Sequence, residues 1–429
     1  MTDIQLQPTS KKLQGTMSVP GDKSISHRSV IFSGLAEGTS HITNFLTGED
    51  CLRTVEAFRE MGVRIDQKED RLTVYGNGIQ GLQEPSAPLN FGNSGTTARL
   101  MSGVLAGLPL FTTAFGDASL SKRPMDRVVV PLKEMGAEIS GRNQNRLLPL
   151  AFTGRTLKGA VHELTVRSAQ VKSALLLAGM LADGETKVVE LGQTRNHTEM
   201  LLPEFGVDID VQGSVITIQG GQQPQASDIK VPGDISSAAF FIVAASIVPG
   251  SNLTIKDVGL NPTRDGIIQA MKQMGADIDT EIHTYIGREP VGDIRVRGSR
   301  LQALKLDGEL IPNLIDEIPI IALAATQAEG TTIIKDAEEL KFKETDRIEA
   351  VVTTLAKLGA DVEATDDGMI IHGGASLQGG SIHSYGDHRI GMMGAVASLI
   401  SSNPVTIEDK DCINISYPSF FEHLNEVLR

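Results

Sequence analysis

The chain has 429 residues, with 39 Lys and Arg against 53 Asp and Glu. The resulting formal charge of −14 repels a nucleic-acid backbone over most of the surface, so an anionic ligand needs a local basic pocket. At 40% hydrophobic and 4% aromatic with no Trp, it has core material for two or three domains, while two cysteines, Cys51 and Cys412, exclude a disulfide framework or a Cys-rich zinc site.

The N-terminal MTDIQLQPTSKK lacks a signal-peptide core, and a cytoplasmic protein is expected. Residues Val19–Ser24 then read VPGDKS, and 212 positions later Val231–Ser236 read VPGDIS. A Pro-Gly-Asp turn feeding Ser and an apolar run is a helix start, because Asp or Ser can cap free backbone N–H groups. Only the first copy carries a cation, Lys23, and Arg28 follows Ser24 by one turn on the same face. Such a helix N-terminus suits a phosphate or carboxylate; the plainer alternative is a capped helix with two solvated cations.

Repeats organise the rest. MGVRI, MGAEI, FGVDI, MGADI and LGADV each follow an amphipathic stretch, and their glycines Gly62, Gly136, Gly206, Gly275 and Gly359 recur about every seventy residues. Each reads as a helix ending at Gly and turning into a strand. A second series, Gly38, Gly107, Gly184, Gly250 and Gly330, precedes the first by 22 to 29 residues and leads mostly into β-like runs. The unit is therefore βαβαββ, with a shorter sixth copy from near Tyr385. Helices such as SALLLAGMLA and AAFFIVAASIV are apolar all round and should be buried, and the run Ala238–Val248 is too short to span a bilayer. Pro131 is a misfit in its helix-like run. The two VPGD turns divide six copies into three and three. We expect an α/β fold of two globules, 21–233 and 1–20 plus 234–429, with the N-terminal strand completing the second and a cleft between them.

Chemistry-bearing residues gather at helix starts. FGNSGTTARL sets Asn93, Ser94, Gly95 and Thr96 where bare amides approach an anion. SLSKRPMDR places Lys122 and Arg123 before Pro124, which suits a first helical position. VRSAQVKS puts Ser168, Ala169 and Gln170 at the mouth of a buried helix, and TRNHTE clusters Arg195, Asn196 and His197. Further on, Asp316 and Glu317 precede an apolar helix, and one of them must sit near its buried N-terminus. ELKFKETDRIEAV packs Lys341, Lys343, Glu344, Asp346 and Arg347; GDHRI brings His388 and Arg389, and Lys410 follows. Taken singly these are capped turns or solvated charge runs, with no metal-ligand spacing. Together they favour an enzyme acting on more than one phosphate- or carboxylate-bearing molecule.

Through GDKSISHR, GNSGTT, KRPMDR, SAQVK, RNHTE, NPTR, IDEIP, KETDR and GDHRI the chain resembles the 5-enolpyruvylshikimate-3-phosphate synthases, in particular their class II branch, whose members can be less sensitive to glyphosate. The resemblance implies two inside-out α/β barrels, each of three βαβαββ units, closing on substrate. It implies transfer of the enolpyruvyl group of phosphoenolpyruvate to the 5-hydroxyl of shikimate 3-phosphate by addition and elimination, with no cofactor, metal, nucleic acid or membrane, in a monomer. Shikimate 3-phosphate would be held by Lys23, Ser24, Arg28, Ser168, Ala169, Gln170, Arg195, Asp316 and Lys343. Phosphoenolpyruvate would be held by Lys23, Asn93, Gly95, Arg123, Gln170, Arg347, Arg389 and Lys410, with Asp316, Glu344 and Lys23 as proton-transfer candidates. A UDP-N-acetylglucosamine enolpyruvyl transferase shares the architecture, but that family usually offers a reactive Cys where this chain has FGDASLSKR. A non-catalytic binding module would need the cations without the carboxylates.

Overall fold

The computed structural model describes residues 2–429. Six helices without a polar face are sunk in the interior: Lys23–Leu35, Gly95–Gly107 and Ala169–Leu181 in the first half, Ile235–Ile247, Ile318–Thr326 and His388–Ser398 in the second. In Ile235–Ile247 and Ile318–Thr326 every residue is buried, as an apolar surface on all sides demands. Sheets form the outer layer of each unit. Among the described residues there are six, five four-stranded and one three-stranded.

The sheets repeat one connection. In the third, Val161–Glu163 runs parallel to Glu185–Val189 across the inner helix Ala169–Leu181. An antiparallel hairpin, Ile209–Gln212 and Val215–Gln219, completes the order on the far edge. A parallel pair needs a long crossover, and the buried helix supplies it. The same βαβαββ pattern orders the sheets around Phe111–Phe115 and Thr331–Ile334.

The first sheet of each half borrows its opening strand. Ile229–Lys230 lies parallel to Ile42 and Thr43, and Gln14–Ser18 lies parallel to Asn252–Lys256. In the shortened sixth repeat, Ile4–Leu6 pairs antiparallel with Val405–Ile407 in place of a hairpin. The chain accordingly divides into two compact units. One is Gly21–Val231 with Tyr285–Glu289; the other holds the N-terminal stretch to Pro20, Pro232–Thr284 and Pro290–Arg429. Each has its own hydrophobic core.

The five repeat glycines at helix ends all have φ between 71° and 97°, the left-handed geometry that closes a helix into a strand. Gly107 departs from its series: it is the last residue of a helix, and a Cβ there would sit 2.8 Å from the Leu181 Cβ, so it provides space rather than a turn. Pro124 also departs from expectation. The helix begins only at Asp126, and the Met125 amide just ahead of it is bonded to the Arg146 carbonyl at 2.8 Å. Pro131 does lie inside that helix, Asp126–Glu134, where it forfeits one backbone bond near the end of a short element. Among the described residues no helix is long and apolar enough to cross a membrane.

Two inner helices touch almost backbone to backbone. A Cβ on Gly103 would fall 2.1 Å from the carbonyl oxygen of Ala174, a contact neither helix can relieve by turning a side chain. Gly103→Ala is expected to lower unfolding free energy by about 3 kcal/mol despite alanine's better helix propensity. Urea denaturation of the variant beside wild type measures it; equal stability would mean that the helices separate freely.

Candidate active site

In the Gly21–Val231 unit, the three inner helices start close together and each is capped. Asp22 accepts from the Ile25 amide at 2.9 Å, Ser94 from Thr97 at 3.2 Å and Ser168 from Val171 at 3.4 Å. Around these starts lie the residues singled out from sequence. Lys23, the first residue of its helix, is paired with Asp50. Gln170, following Ala169, donates to Thr96 Oγ1 at 3.0 Å and accepts from Arg99 Nη1 at 2.5 Å. Arg123 donates to Asn93 Oδ1 at 2.6 Å, and Asn93 is steadied by Asp117 at 2.7 Å. At Gly95 a Cβ would approach Arg123 Nη1 to 3.3 Å and Arg99 Nη1 to 3.4 Å. Two guanidinium groups thus flank a helix start at a residue without a side chain, an arrangement suited to a small anion.

Arg28 is buried beneath this rim. Its Nε donates to Thr198 Oγ1 at 2.8 Å, Nη1 to the Ser24 carbonyl at 2.9 Å and Nη2 to Ser173 Oγ at 2.7 Å. Burial lowers its pKa to about 10, with Arg195 pressing the same way against the pull of Glu199, Asp22 and Glu289, so it stays charged at neutral pH. Arg195 is therefore near enough for Arg28 to feel its charge. His197, in the same motif, is occupied structurally: its Nδ1 lies 2.5 Å from Glu289 Oε1, both side chains buried. Asp50, Arg99, Ser173 and Thr198 complete this cluster and escaped the sequence reading. Arg99 alone left a signal, one turn beyond Gly95.

The second cluster centres on Arg347, which is 1% exposed. Its Nε donates to Asp387 at 2.7 Å, Nη1 to Asp316 at 3.1 Å and Nη2 to Glu344 at 2.5 Å. Burial alone would lower its pKa; Asp387, then Glu344 and Asp316, outweigh that and hold it above the ordinary guanidinium value. Lys343 Nζ lies 3.2 Å from Asp316 Oδ1. The Asp316 and Glu344 side chains remain 14% and 27% exposed, so these carboxylates, and not Arg347, form the accessible face.

Of the pair Asp316 and Glu317, the second is the one buried at the helix start. Glu317 bonds the hydroxyl of Ser236 and lies 3.8 Å from Arg389 Nη1, while Arg264 Nη2 donates to Ser236 Oγ at 2.6 Å. Asp387 caps the helix bearing Arg389, accepting from the Arg389 amide at 2.9 Å. Lys410 begins a short turn beside Asp409, whose carbonyl accepts from Ser384 Oγ at 3.3 Å just ahead of that helix. Asp387, Glu317 and Ser236 were not assigned site roles from sequence; buried polar residues at helix starts look like simple caps.

The class defined here is a two-unit α/β protein with clustered cations and carboxylates at the starts of buried helices. Residues 8–424 match the profile of the family described as EPSP synthase (3-phosphoshikimate 1-carboxyvinyltransferase). The 3-phosphoshikimate 1-carboxyvinyltransferase of Oceanobacillus iheyensis is 56% identical over 429 residues, covering all of both chains, and that of Shouchella clausii is 54% identical over 422, covering 98% of each. The solved EPSP synthase of Acinetobacter baumannii superposes with a TM-score of 0.91 at 44% identity, covering 99% of this chain and 98% of that one. The chain belongs to the EPSP synthase family.

A buried polar chain ties the first two helix starts together. His27 Nδ1 lies 2.7 Å from Thr54 Oγ1, Thr54 lies 2.8 Å from Thr97 Oγ1, and Thr97 lies 2.7 Å from Ser94 Oγ. Burial pulls the His27 pKa down to about 3, with Lys23 and Arg28 adding to the fall and Asp50 opposing it. A depressed histidine is neutral when folded but binds a proton when unfolded, so its contribution is complete above about pH 6.5 and is lost as pH falls toward 3. Within that window wild type should lose up to about 1.4 kcal/mol per pH unit more than His27→Asn. Parallel stability–pH curves from denaturant titrations would show that His27 does not hold this state.

Proposed function

We propose that the protein transfers the enolpyruvyl group of phosphoenolpyruvate to the 5-hydroxyl of shikimate 3-phosphate, releasing phosphate; its relatives bear the name 3-phosphoshikimate 1-carboxyvinyltransferase. The observation that carries the chemical reading is the joint anchoring of Asp316 and Glu344 on one buried guanidinium. Addition requires a base for the attacking hydroxyl and an acid that protonates C3 of phosphoenolpyruvate as the new O–C2 bond forms. Elimination from the tetrahedral intermediate then breaks the C2–O bond to phosphate while C3 returns its proton. Two carboxyl groups among cations meet both demands.

In this reading Asp316 takes the hydroxyl proton, Glu344 serves C3, and Lys23 shares the transfer. Ser24, Arg28, Ser168, Ala169, Gln170, Arg195 and Lys343 hold shikimate 3-phosphate together with Lys23 and Asp316. Asn93, Gly95, Arg123, Gln170, Arg389, Lys410 and Lys23 hold phosphoenolpyruvate, and Arg347, expected from sequence to touch it, acts instead from beneath by fixing Asp316 and Glu344. Support comes from the geometry at Gly95, where Arg123 and Arg99 flank the start of a helix, and from the partly exposed carboxylates of Asp316 and Glu344. Charge-assisted bonds of this kind contribute about 1.5 to 3 kcal/mol each.

Mixing the protein with both substrates should release one phosphate per enolpyruvyl transferred, and replacing shikimate 3-phosphate by UDP-N-acetylglucosamine should abolish release. Release only with the nucleotide sugar would assign the rival transferase; none with either would leave a binding module. Arg123→Ala and Lys23→Ala should weaken substrate use about 10- to 100-fold with the fold intact.

Glu344→Gln leaves Arg347 bonded to Asp387 and Asp316, so the buried charge stays neutralised and the variant should fold. Its turnover is expected to fall about 100- to 10,000-fold, with slower exchange of solvent deuterium into C3. Wild-type turnover and exchange would remove Glu344 from the chemistry.

A further inference from the structure

One group of ligand-type side chains lies outside both clusters. Asp257, His283 and Asp293 stand on neighbouring strands of the sheet ordered Asp277–Ile286, Glu289–Arg297, Asn252–Gly259 and Gln14–Ser18. Each offers one donor atom, and the three atoms lie within 4.8 Å of one another. His283 Nε2 is 3.3 Å from Asp257 Oδ1 and 3.3 Å from Asp293 Oδ1. We propose that these residues form a surface site for a divalent first-row transition metal of the zinc type, with water completing the shell.

His283 Nε2 and Asp293 Oδ1 are within a long hydrogen bond, and the same distances suit a shared metal. At 3.3 Å both contacts exceed the usual N–H···O length of about 2.9 to 3.0 Å, and a single Nε2 proton cannot serve two carboxylates equally. Ligand bonds of about 2.0 to 2.2 Å in a tetrahedral shell put neighbouring donor atoms roughly 3.3 to 3.6 Å apart, which is the spacing of both His283 contacts, and the third pair lies within 4.8 Å. The histidine nitrogen also separates this group from a merely acidic patch, because imidazole with carboxylate favours zinc, cobalt or nickel over magnesium and calcium.

The ligands are held in place by the strands themselves. The pairing of Asn252–Gly259 with Glu289–Arg297 shifts register between Ile255 and Val258, and such a bulge lets two successive residues address one partner. Lys256 and Asp257 both do so. Lys256 Nζ takes Asp293 Oδ2 at 2.5 Å and the Asp257 amide donates to Asp293 Oδ1 at 3.2 Å, so the carboxylate is oriented with Oδ1 toward His283. The Asp257 carbonyl is itself fixed by the Gly233 amide at 2.7 Å. Outer contacts that orient a ligand in this way are a regular part of metal sites. No motif spacing announces the site because its residues come from three strands and meet only through the bulge.

The test uses the full-length chain, stripped of metal by chelator and dialysis, titrated calorimetrically with zinc chloride and followed by native mass spectrometry. Wild type should take up one equivalent saturably. His283→Ala and Asp257→Asn, both at partly exposed positions and checked by circular dichroism, should each weaken uptake by about 10-fold or more. Lys256→Met keeps all three ligands but removes an outer contact to Asp293, and should weaken uptake less than either ligand variant. With cobalt as a spectroscopic substitute, the intense visible bands of four-coordinate cobalt should appear in wild type and vanish in His283→Ala, and excess magnesium should not displace them. No saturable uptake by wild type, unchanged affinity in both ligand variants, or displacement by magnesium overturns the proposal. Enolpyruvyl transfer is not the readout, so the outcome is independent of the substrate reaction.

Discussion

Burial of an apolar helix on every side constrains everything else in each unit. Such a helix can display chemistry only at its ends, and its first turn carries unpaired N–H groups and the positive end of the helix dipole. Several small hydroxyl residues inside the helices do not break the rule, because they satisfy themselves locally. Ser29, Ser102 and Ser246 donate to the carbonyls of Ile25, Ala98 and Ile242 one turn back, at 2.7 to 2.9 Å. Chemistry is thereby concentrated at helix starts, and the residues assigned to substrate there lie within a turn or two of a capping Asp or Ser.

Two buried cations hold these starts in shape. Arg347 sits under Asp387, Asp316 and Glu344, while Lys172, fully buried, lies 3.0 Å from Glu190 and 2.6 Å from Glu199. Desolvating a cation is expensive, and removing one partner of such a group typically costs about 3 to 5 kcal/mol. The arrangement is therefore better understood as a device for fixing carboxylates than as a source of stability. Arg347 sets the separation of the two accessible acids with a rigid planar fork, which a flexible lysine could not do. Glu199, anchored on Lys172, in turn supplies the strongest counter-charge to Arg28.

Much of this was legible in the chain. The repeat glycines marked helix-to-strand turns because left-handed backbone strongly favours Gly, and the all-apolar helices declared their burial. The identical VPGD turns marked the divide, since each needs the same cap at a buried helix start. What stayed hidden depends on distance in space. Gly107 looked like its turn-forming equivalents, but its constraint is the Leu181 side chain 74 residues away. Pro124 looked like a first helical residue, but the helix begins at Asp126, after a residue tied to the distant Arg146 carbonyl. Asp387 and Glu317 received no role because sequence cannot reveal that a guanidinium from another helix reaches each carboxylate. Asp50 carried no motif at all, and only folding brings it to Lys23.

The borrowed strands bear on the order in which the chain acquires structure during synthesis. The segment Gln14–Ser18 leaves the ribosome early, yet its parallel partner Asn252–Lys256 is more than two hundred residues downstream, and Ile4–Leu6 must wait for Val405–Ile407 near the other end. Parallel pairing across such separations is slow, because the loop entropy is lost before any contact compensates for it. By contrast, the sheet closed by Ile229–Lys230 draws all its strands from the first 230 residues. The nascent chain can thus assemble Gly21–Val231 while an extended N-terminal tail stays unpaired. The run from Gln7 to Lys12, with Pro8 and two closing lysines, is well suited to keep that waiting edge from recruiting another chain.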